Sequence, residues 1–349
     1  MTEPHPVEEV LKGLIADHGP ISVARFMEIA NAAYYASQDP FGVKGDFITA
    51  PEVSQMFGEL IGLALADSWD QVGRPPVHYV ELGPGRGTLA HDALRAMRST
   101  HCTPDVHFVE TSPLLRAAQA ERVPEATWHD SIATLPHDRP LMIVANEFFD
   151  ALPVVQYVKT VVGWRELMVR IEGDGFATVP GTQPCDDMVP DTIRGAHPAS
   201  VYERSPVSQA IIHALARRLA AQGGMMIAID YGEHGRAAGD TLQAVHAHAF
   251  ADPFVRPGLT DLSAHVDFSA LVDAASVRGV RVAGPVEQGD WLVALGVDVR
   301  ADQLTRAHPE RAAELTAARM RLIHPEQMGT LFKVIGISGP HWPIVPGLS

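Results

Sequence analysis

The stretch HYVELGPGRGTLAHDALRAM, residues 78 to 97, limits the possible folds of this chain more than any other. A short apolar run leads into glycines at 83, 85 and 87, and a helical pattern follows with Thr88 placed to cap it. Glycine suits such a turn because a side chain would forbid positive φ angles and hold a ligand away from the backbone. The helix that follows begins with unpaired N–H groups and a partial positive charge. Strand, glycine turn and helix in this order predict the opening unit of a doubly wound α/β domain that binds a nucleotide-like cofactor.

Two details narrow the cofactor. The spacing is Gly83-x-Gly85-x-Gly87, with Thr88 standing where the last glycine of a dinucleotide fingerprint belongs. Glu81 comes just before the first glycine, where a carboxylate would repel a pyrophosphate but suit a cationic amino-acid group. The sulfonium and α-ammonium of S-adenosylmethionine meet that description. The next predicted strand, DVHFVE, ends in Glu110, the position expected to hold both ribose hydroxyls. After the third strand, WHDSI offers Asp130 and Ser131 to the adenine amino group. The competing reading is an ordinary strand–turn–helix whose acids lie on the surface.

At 349 residues the chain is long enough for one large α/β domain with insertions, or for two smaller domains. No run approaches the ~18 apolar residues of a membrane helix. The first residues, MTEPHPVEEVLKGLIADHG, carry no secretory or Arg-rich transit pattern, which gives the expectation of a cytoplasmic protein. Two cysteines, Cys102 and Cys185, are too few for a disulfide framework or a cysteine-based zinc site. A net charge of −15 argues against a nucleic-acid backbone and suits a basic substrate such as an arginine-bearing protein segment.

Residues 6 to 36 and 53 to 72 read as helices, separated by the loop SQDPFGVKGDFITAPE. Residues 1–75 are therefore taken as a helical lead-in and cofactor lid. Residues 76–349 are taken as the α/β domain, with insertions at about 154–204 and 233–265. Strands are expected at 78–83, 105–110, 126–129 and 141–146, with helices between the first three, implying a parallel sheet. Residues 154 to 171 read as a hairpin around Gly163, and DGFATVPGTQPCDDMVP as a turn-rich excursion. SPVSQAIIHALARRLAAQ reads as a capped helix before the buried strand GMMIAIDYG. Residues 302 to 323 read as one long charged helix, and TLFKVIGIS as the last strand.

With these pieces in place the chain resembles the MidA family of protein arginine methyltransferases, relatives of a mitochondrial complex I assembly factor. The resemblance rests on DPFGVKGDFITAPEVSQMFGELIG (39–62), ELGPGRGTL (81–89), VETSPLLRAAQ (109–119) and ANEFFDALPVVQ (145–156). It continues through GWRELMV (163–169), IDYG (229–232), GDTLQAV (239–245), DLSAHVDFSAL (261–271), QGDWLVALG (288–296) and MGTLFKVIGIS (328–338). It implies a class I, Rossmann-like fold: a seven-stranded, mostly parallel sheet whose last strand runs antiparallel. It also implies a substrate arginine on the 49-kilodalton-type subunit of NADH:quinone oxidoreductase, symmetrically dimethylated.

Methyl transfer to a guanidinium asks for carboxylates that grip its nitrogens and fix its approach. ANEFFD, after the apolar strand LMIVA, supplies Glu147 and Asp150, while DYG supplies Asp230 at the end of the next parallel strand. Asn146 is counted with the cofactor contacts, and Phe148 and Tyr231 with the substrate walls. In GDFITAPE, Thr49 and Glu52 are expected near the methionine end of the cofactor and Asp46 near the substrate. His265 and Asp267 lie in an insertion at the ligand edge and are expected to shape the substrate pocket. The stretch that also holds His246, His248 and Asp252 lacks the spacing of a metal site, so no metal is expected. A methyltransferase acting on another nucleophile and a non-catalytic, cofactor-binding assembly chaperone stay open as alternatives. The sequence leaves the oligomeric state open.

Overall fold

The computed structural model describes residues 6–37, 49–235, 238–246 and 249–348. Seven strands form the central sheet: β1 (His78–Leu82), β2 (Asp105–Val109), β3 (Thr127–His129), β4 (Leu141–Asn146), β5 (Gly224–Glu233), β6 (Arg281–Glu287) and β7 (Phe332–Ser338). Their order is β6-β7-β5-β4-β1-β2-β3, and β7 runs antiparallel to both neighbours while β5, β4, β1, β2 and β3 pair in parallel. Every residue of β1 is buried, as expected of a parallel strand covered on both faces. A two-residue strand, Val266–Asp267, extends the parallel pairing at the end of β5.

One face of the sheet packs on the helices Gln55–Gln71 and Thr88–Ser99, burying Phe57, Leu60, Leu89 and Tyr79. The other packs on Pro206–Gln222 and Phe268–Ala275, burying Ile212, Leu215 and Phe268. Between β4 and Pro206–Gln222 the chain builds a second sheet from Val155–Thr160, Gly163–Glu172, Gly175–Pro184 and Val201–Arg204. Ile21–Ser22 of the lead-in adds to that sheet opposite Val169 and Met168. Phe26, Met27, Val154, Val169 and Leu262 then share one apolar cluster. Lead-in and insertions are thereby packed together, placing the helix Val23–Ser37 beside the C-terminal ends of the parallel strands.

Three local expectations are corrected. DGFATVPGTQP is a strand, Gly175–Pro184, rather than a turn-rich excursion; its prolines are tolerated because it is an edge strand with most residues at least partly exposed. Residues 302 to 323 are two helices, Val297–Ala307 and Ala312–Ile323, separated at Pro309, whose ring and missing N–H end the first. Thr88 does not cap its helix: it is the first helical residue, and Gly87 caps at φ +78°. Among the described residues, no helix is long and apolar enough to cross a membrane.

Candidate active site

The glycine turn after β1 adopts left-handed backbone at Gly83 (φ +59°), Gly85 (φ +55°) and Gly87 (φ +78°). A Cβ on Gly83 would stand 3.0 Å from the Phe148 ring, so a side chain there would push that ring aside. Above the turn lies a cavity of about 430 Å³ lined by Gly83, Gly85, Glu110, Glu147, Asn31 and Tyr35, among others. That volume falls in the ordinary range for small-molecule sites.

Glu110, just past β2, forms one end of this cavity. Its Oε1 accepts hydrogen bonds from the N–H groups of Thr111 and Ser112, both at 2.8 Å. Burial raises its pKa, opposed by those bonds and by Gln119. Gln119 is a residue that sequence reasoning missed. Fully buried, it donates to the Gly85 carbonyl at 2.7 Å and to Glu110 Oε2 at 3.3 Å, and accepts from Trp128 Nε1 at 2.8 Å. One amide thus ties the glycine turn to the acid expected to hold the ribose. The signal in the sequence was weak: one amide four residues after Leu115 on the buried face of a short helix.

Asp130 and Ser131 are placed differently from expectation. Asp130 is 84% exposed at its side chain and pairs with Arg116 at 2.6 Å, while Ser131 caps a short 3₁₀ turn through the N–H of Ala133. Neither lines the cavity. Arg116 also donates to the Glu110 carbonyl, so the Asp130 pair braces the loop that carries Glu110.

A smaller hollow adjoins the cavity at its other end, lined by Thr49, Glu52, Glu81, Gly85, Asn146 and Glu147, among others. Glu81 is buried there. Tyr79 donates to its Oε2 at 2.6 Å, and burial pushes its pKa up to about 8 despite that bond. Thr88 donates to Glu52 Oε1 at 2.5 Å, which fastens the short helix Ala50–Val53 to the helix after the glycine turn. Glu147 lines both spaces. It is a non-glycine residue at φ +50°, its N–H bonded to the Ile229 carbonyl at 2.9 Å, and its Oε1 accepts from Asn146 Nδ2 at 3.1 Å and from the Ala50 N–H at 3.3 Å. A left-handed backbone at such a residue persists only where its surroundings enforce it. Burial and the nearby Asp150 raise its pKa to about 7.

Asp230, expected to face the cleft, sits fully buried behind this loop. Its Oδ2 accepts from the N–H groups of Phe149 (2.9 Å) and Asp150 (3.3 Å), and its Oδ1 from that of Tyr231 (3.0 Å). It shapes the turn instead of lining either space, and burial raises its pKa. Phe148 forms part of the cavity wall and Phe149 is core. Asp267 caps Phe268–Ala275, accepting from the Ala270 N–H at 3.0 Å. His265 packs edge-on against Tyr231 at 5.5 Å and lines a separate hollow with Glu203 and Glu233. Asp46 and His248 lie outside the described residues.

These residues fit the expected cofactor on their own terms. A ribose would meet Glu110, a cationic methionine end would meet Glu81, and Asn146 Oδ1 is buried without a partner beside Glu147. The architecture is that of an α/β methyltransferase. Residues 60–286 match a family described as "Putative S-adenosyl-L-methionine-dependent methyltransferase", and the chain belongs to that family; S-adenosylmethionine is its cofactor.

The chain is 36% identical to the protein arginine methyltransferase NDUFAF7 homologue of Drosophila melanogaster, over 94% of this chain and 83% of the fly protein. It is 34% identical to the protein arginine methyltransferase NDUFAF7 of Homo sapiens, over 97% of this chain and 85% of the human one. A Burkholderia thailandensis protein crystallised with S-adenosylhomocysteine bound superposes with a TM-score of 0.85 at 27% identity, covering 100% of this chain and 96% of that one. The expectation of a cytoplasmic protein is corrected here, because the fly and human relatives are named as mitochondrial.

Two outcomes follow for the cofactor cavity. Glu110→Ala is expected to weaken S-adenosylmethionine by about 1.5–3 kcal/mol, the worth of hydrogen bonds to a charged acceptor. An unchanged dissociation constant by calorimetry would make Glu110 a brace for its own loop only. Gln119→Ala should weaken the cofactor as well and lower stability, by about 1–3 kcal/mol, because three partners are left with unsatisfied groups. Equal melting midpoints for the variant and the parent chain would contradict that.

Proposed function

We propose that the protein transfers methyl groups to a guanidinium nitrogen of an arginine in a protein substrate. The proposed substrate is the 49-kilodalton-type subunit of NADH:quinone oxidoreductase, and the product symmetric dimethylarginine. The reading is supported by the named activity of the fly and human relatives and by the family resemblance of GDFITAPE and NEFFDALP. The observation that carries it is Glu147, a carboxyl with its pKa near 7, shared by the cofactor cavity and the hollow beneath Ala50–Val53. Such a group can hold a guanidinium N–H and take the proton that the nitrogen loses.

Bound S-adenosylmethionine supplies a methyl carbon already activated by its sulfonium. The residues then have to bind, orient and exclude water. Glu110 and the glycine turn fix the adenosine, Glu81 faces the cationic methionine end, and Phe148 walls off solvent. Asp150, with its pKa raised to about 6 by burial, stands behind Glu147 as the second acid of the clamp. Residues 1–75 and the insertions at about 154–204 and 233–265 serve as lid and substrate walls.

Intact-mass analysis of the purified subunit after incubation with S-adenosylmethionine tests the reading. A gain of two methyl groups on one arginine is expected, and no gain would overturn it. S-adenosylmethionine at a hundredfold excess over its dissociation constant should stabilise the fold by about 2.7 kcal/mol. NAD and NADP should not shift the melting midpoint.

A further inference from the structure

Behind the wall shared by Tyr35 and Glu147 lies a buried polar cluster drawn from four separate segments. Asp150 comes from the loop after β4, Tyr231 from β5, Tyr35 from the helix Val23–Ser37, and Asp261 from the strand Asp261–Ser263 of the second insertion. Asp150 and Asp261 are 8% and 5% exposed. The Tyr35 hydroxyl is hydrogen-bonded to Asp261 and also lies in the field of Asp150. Tyr231 is hydrogen-bonded to Asp150 and receives the Gln243 amide at 3.4 Å.

The cluster is assembled by one side chain, Asn31. Its Nδ2 donates to the Leu262 carbonyl at 2.7 Å and to the Ala151 carbonyl at 3.0 Å, and its Oδ1 accepts from the Leu262 N–H at 3.0 Å. Helix, insertion strand and NEFFDAL loop are pinned to one point, and the Ala264 N–H adds a bond to the Asp150 carbonyl at 3.0 Å. Building such a junction only to bury two carboxyls would be costly, because buried acids are stable when paired. Asp150 Oδ1 is buried with no hydrogen-bond partner, as is the neighbouring Thr260 Oγ1. These are open acceptors.

We propose that Asp150 and Asp261, spanned by Tyr35 and Tyr231, form the recess that binds the substrate guanidinium, with Asp261 joining Glu147 and Asp150 as a third acid. Two acids reached from different elements can accept from different nitrogens of the planar fork, which fixes the third toward the cofactor cavity. Asn31 is a positioning residue, acting only through where it holds Asp261. The inference rests on the arginine reading above, and it also makes a prediction that needs no turnover. Without a cation Asp150, whose pKa burial raises to about 6, is half protonated near that pH, so there an arriving guanidinium should displace a proton.

The binding arm uses protein saturated with S-adenosylhomocysteine and titrated with N-acetyl-arginine amide, against N-acetyl-citrulline amide, which has the shape without the charge. Calorimetry at about pH 6 in two buffers of different ionisation enthalpy should show proton release with the arginine amide. Asp261→Asn should weaken that binding roughly tenfold to a hundredfold and reduce the proton release, while cofactor affinity stays within about twofold. The kinetic arm uses the intact subunit, for which Asp261→Asn should raise KM far more than it lowers kcat.

Tyr35→Phe, which keeps the ring and removes only the hydroxyl, should change binding in the same direction and guards against an Asp261→Asn protein that does not fold. Wild-type protein that binds both amides equally, or an Asp261→Asn or Tyr35→Phe variant with unchanged arginine binding and KM, would overturn the recess. A recess that binds arginine amide in a protein that methylates no arginine would instead overturn the catalytic reading alone.

Discussion

Gly85→Val is expected to abolish S-adenosylmethionine binding while leaving the protein folded. Gly85 stands at φ +55°, where a β-branched residue is strained, and its carbonyl holds the Gln119 amide at 2.7 Å. A valine would therefore act twice, by placing bulk in the cavity that Gly85 lines and by pulling the turn away from Gln119 and Glu110. The strain is local: the turn is at the ligand edge of the sheet, and the strand before it is held by both neighbours. Circular dichroism should match the parent chain, with a melting midpoint lowered by an amount equivalent to about 1–3 kcal/mol. Addition of S-adenosylmethionine should then no longer raise it. A folded variant with near-parental affinity by calorimetry would remove the glycine turn from the cofactor site.

Much of this site was legible because its signals are local. The glycine spacing and the acids at strand ends belong to the strand–turn–helix unit itself, and positive φ at three nearby glycines follows from the same turn. Signals that depend on distant contacts were not legible. Nothing near Asp230 announces that its oxygens receive three backbone N–H groups, two of them from a loop about eighty residues away. Asp130 and Asp267 have the composition of ligand groups, but an arginine one turn along a helix and an unsatisfied helix start claim them. Asn31 and Gln119 are plain amides on helices, and only the tertiary fold shows that each satisfies several backbone or side-chain groups at once. The edge strand Gly175–Pro184 was hidden for a related reason: its prolines and glycines mimic turns, and its pairing partner is a hairpin away.

Glu147→Gln should separate cofactor binding from chemistry and reveal what the active site costs the fold. The substitution keeps the volume and the bond from the Ala50 N–H, and it removes the charge. Cofactor affinity should stay within a few-fold, whereas methyl transfer to the arginine-bearing subunit should fall by roughly two orders of magnitude, about 2.7 kcal/mol of transition-state stabilisation. Stability should move the other way. The folded-state pKa of Glu147, about 7, lies above its ordinary value of 4.5, so the folded state holds the proton more tightly than the unfolded chain. The parent protein therefore loses stability from this group as pH rises from about 4.5 through about 7. Above that window the full penalty is present. A shift of that size corresponds to about 3 kcal/mol, and the solvent contact that Glu147 keeps through the cavity reduces it to about 1–2 kcal/mol. Glu147→Gln should thus melt higher than the parent at pH 8 and nearly equal to it at pH 4.5, with Glu81 leaving a residual slope of the same sign in both proteins. Loss of cofactor binding would move Glu147 to the cofactor contacts, and full turnover would leave Asp150 and Asp261 to hold the guanidinium alone. Parental stability at both pH values would show that the carboxyl is solvated well enough to carry its charge without penalty.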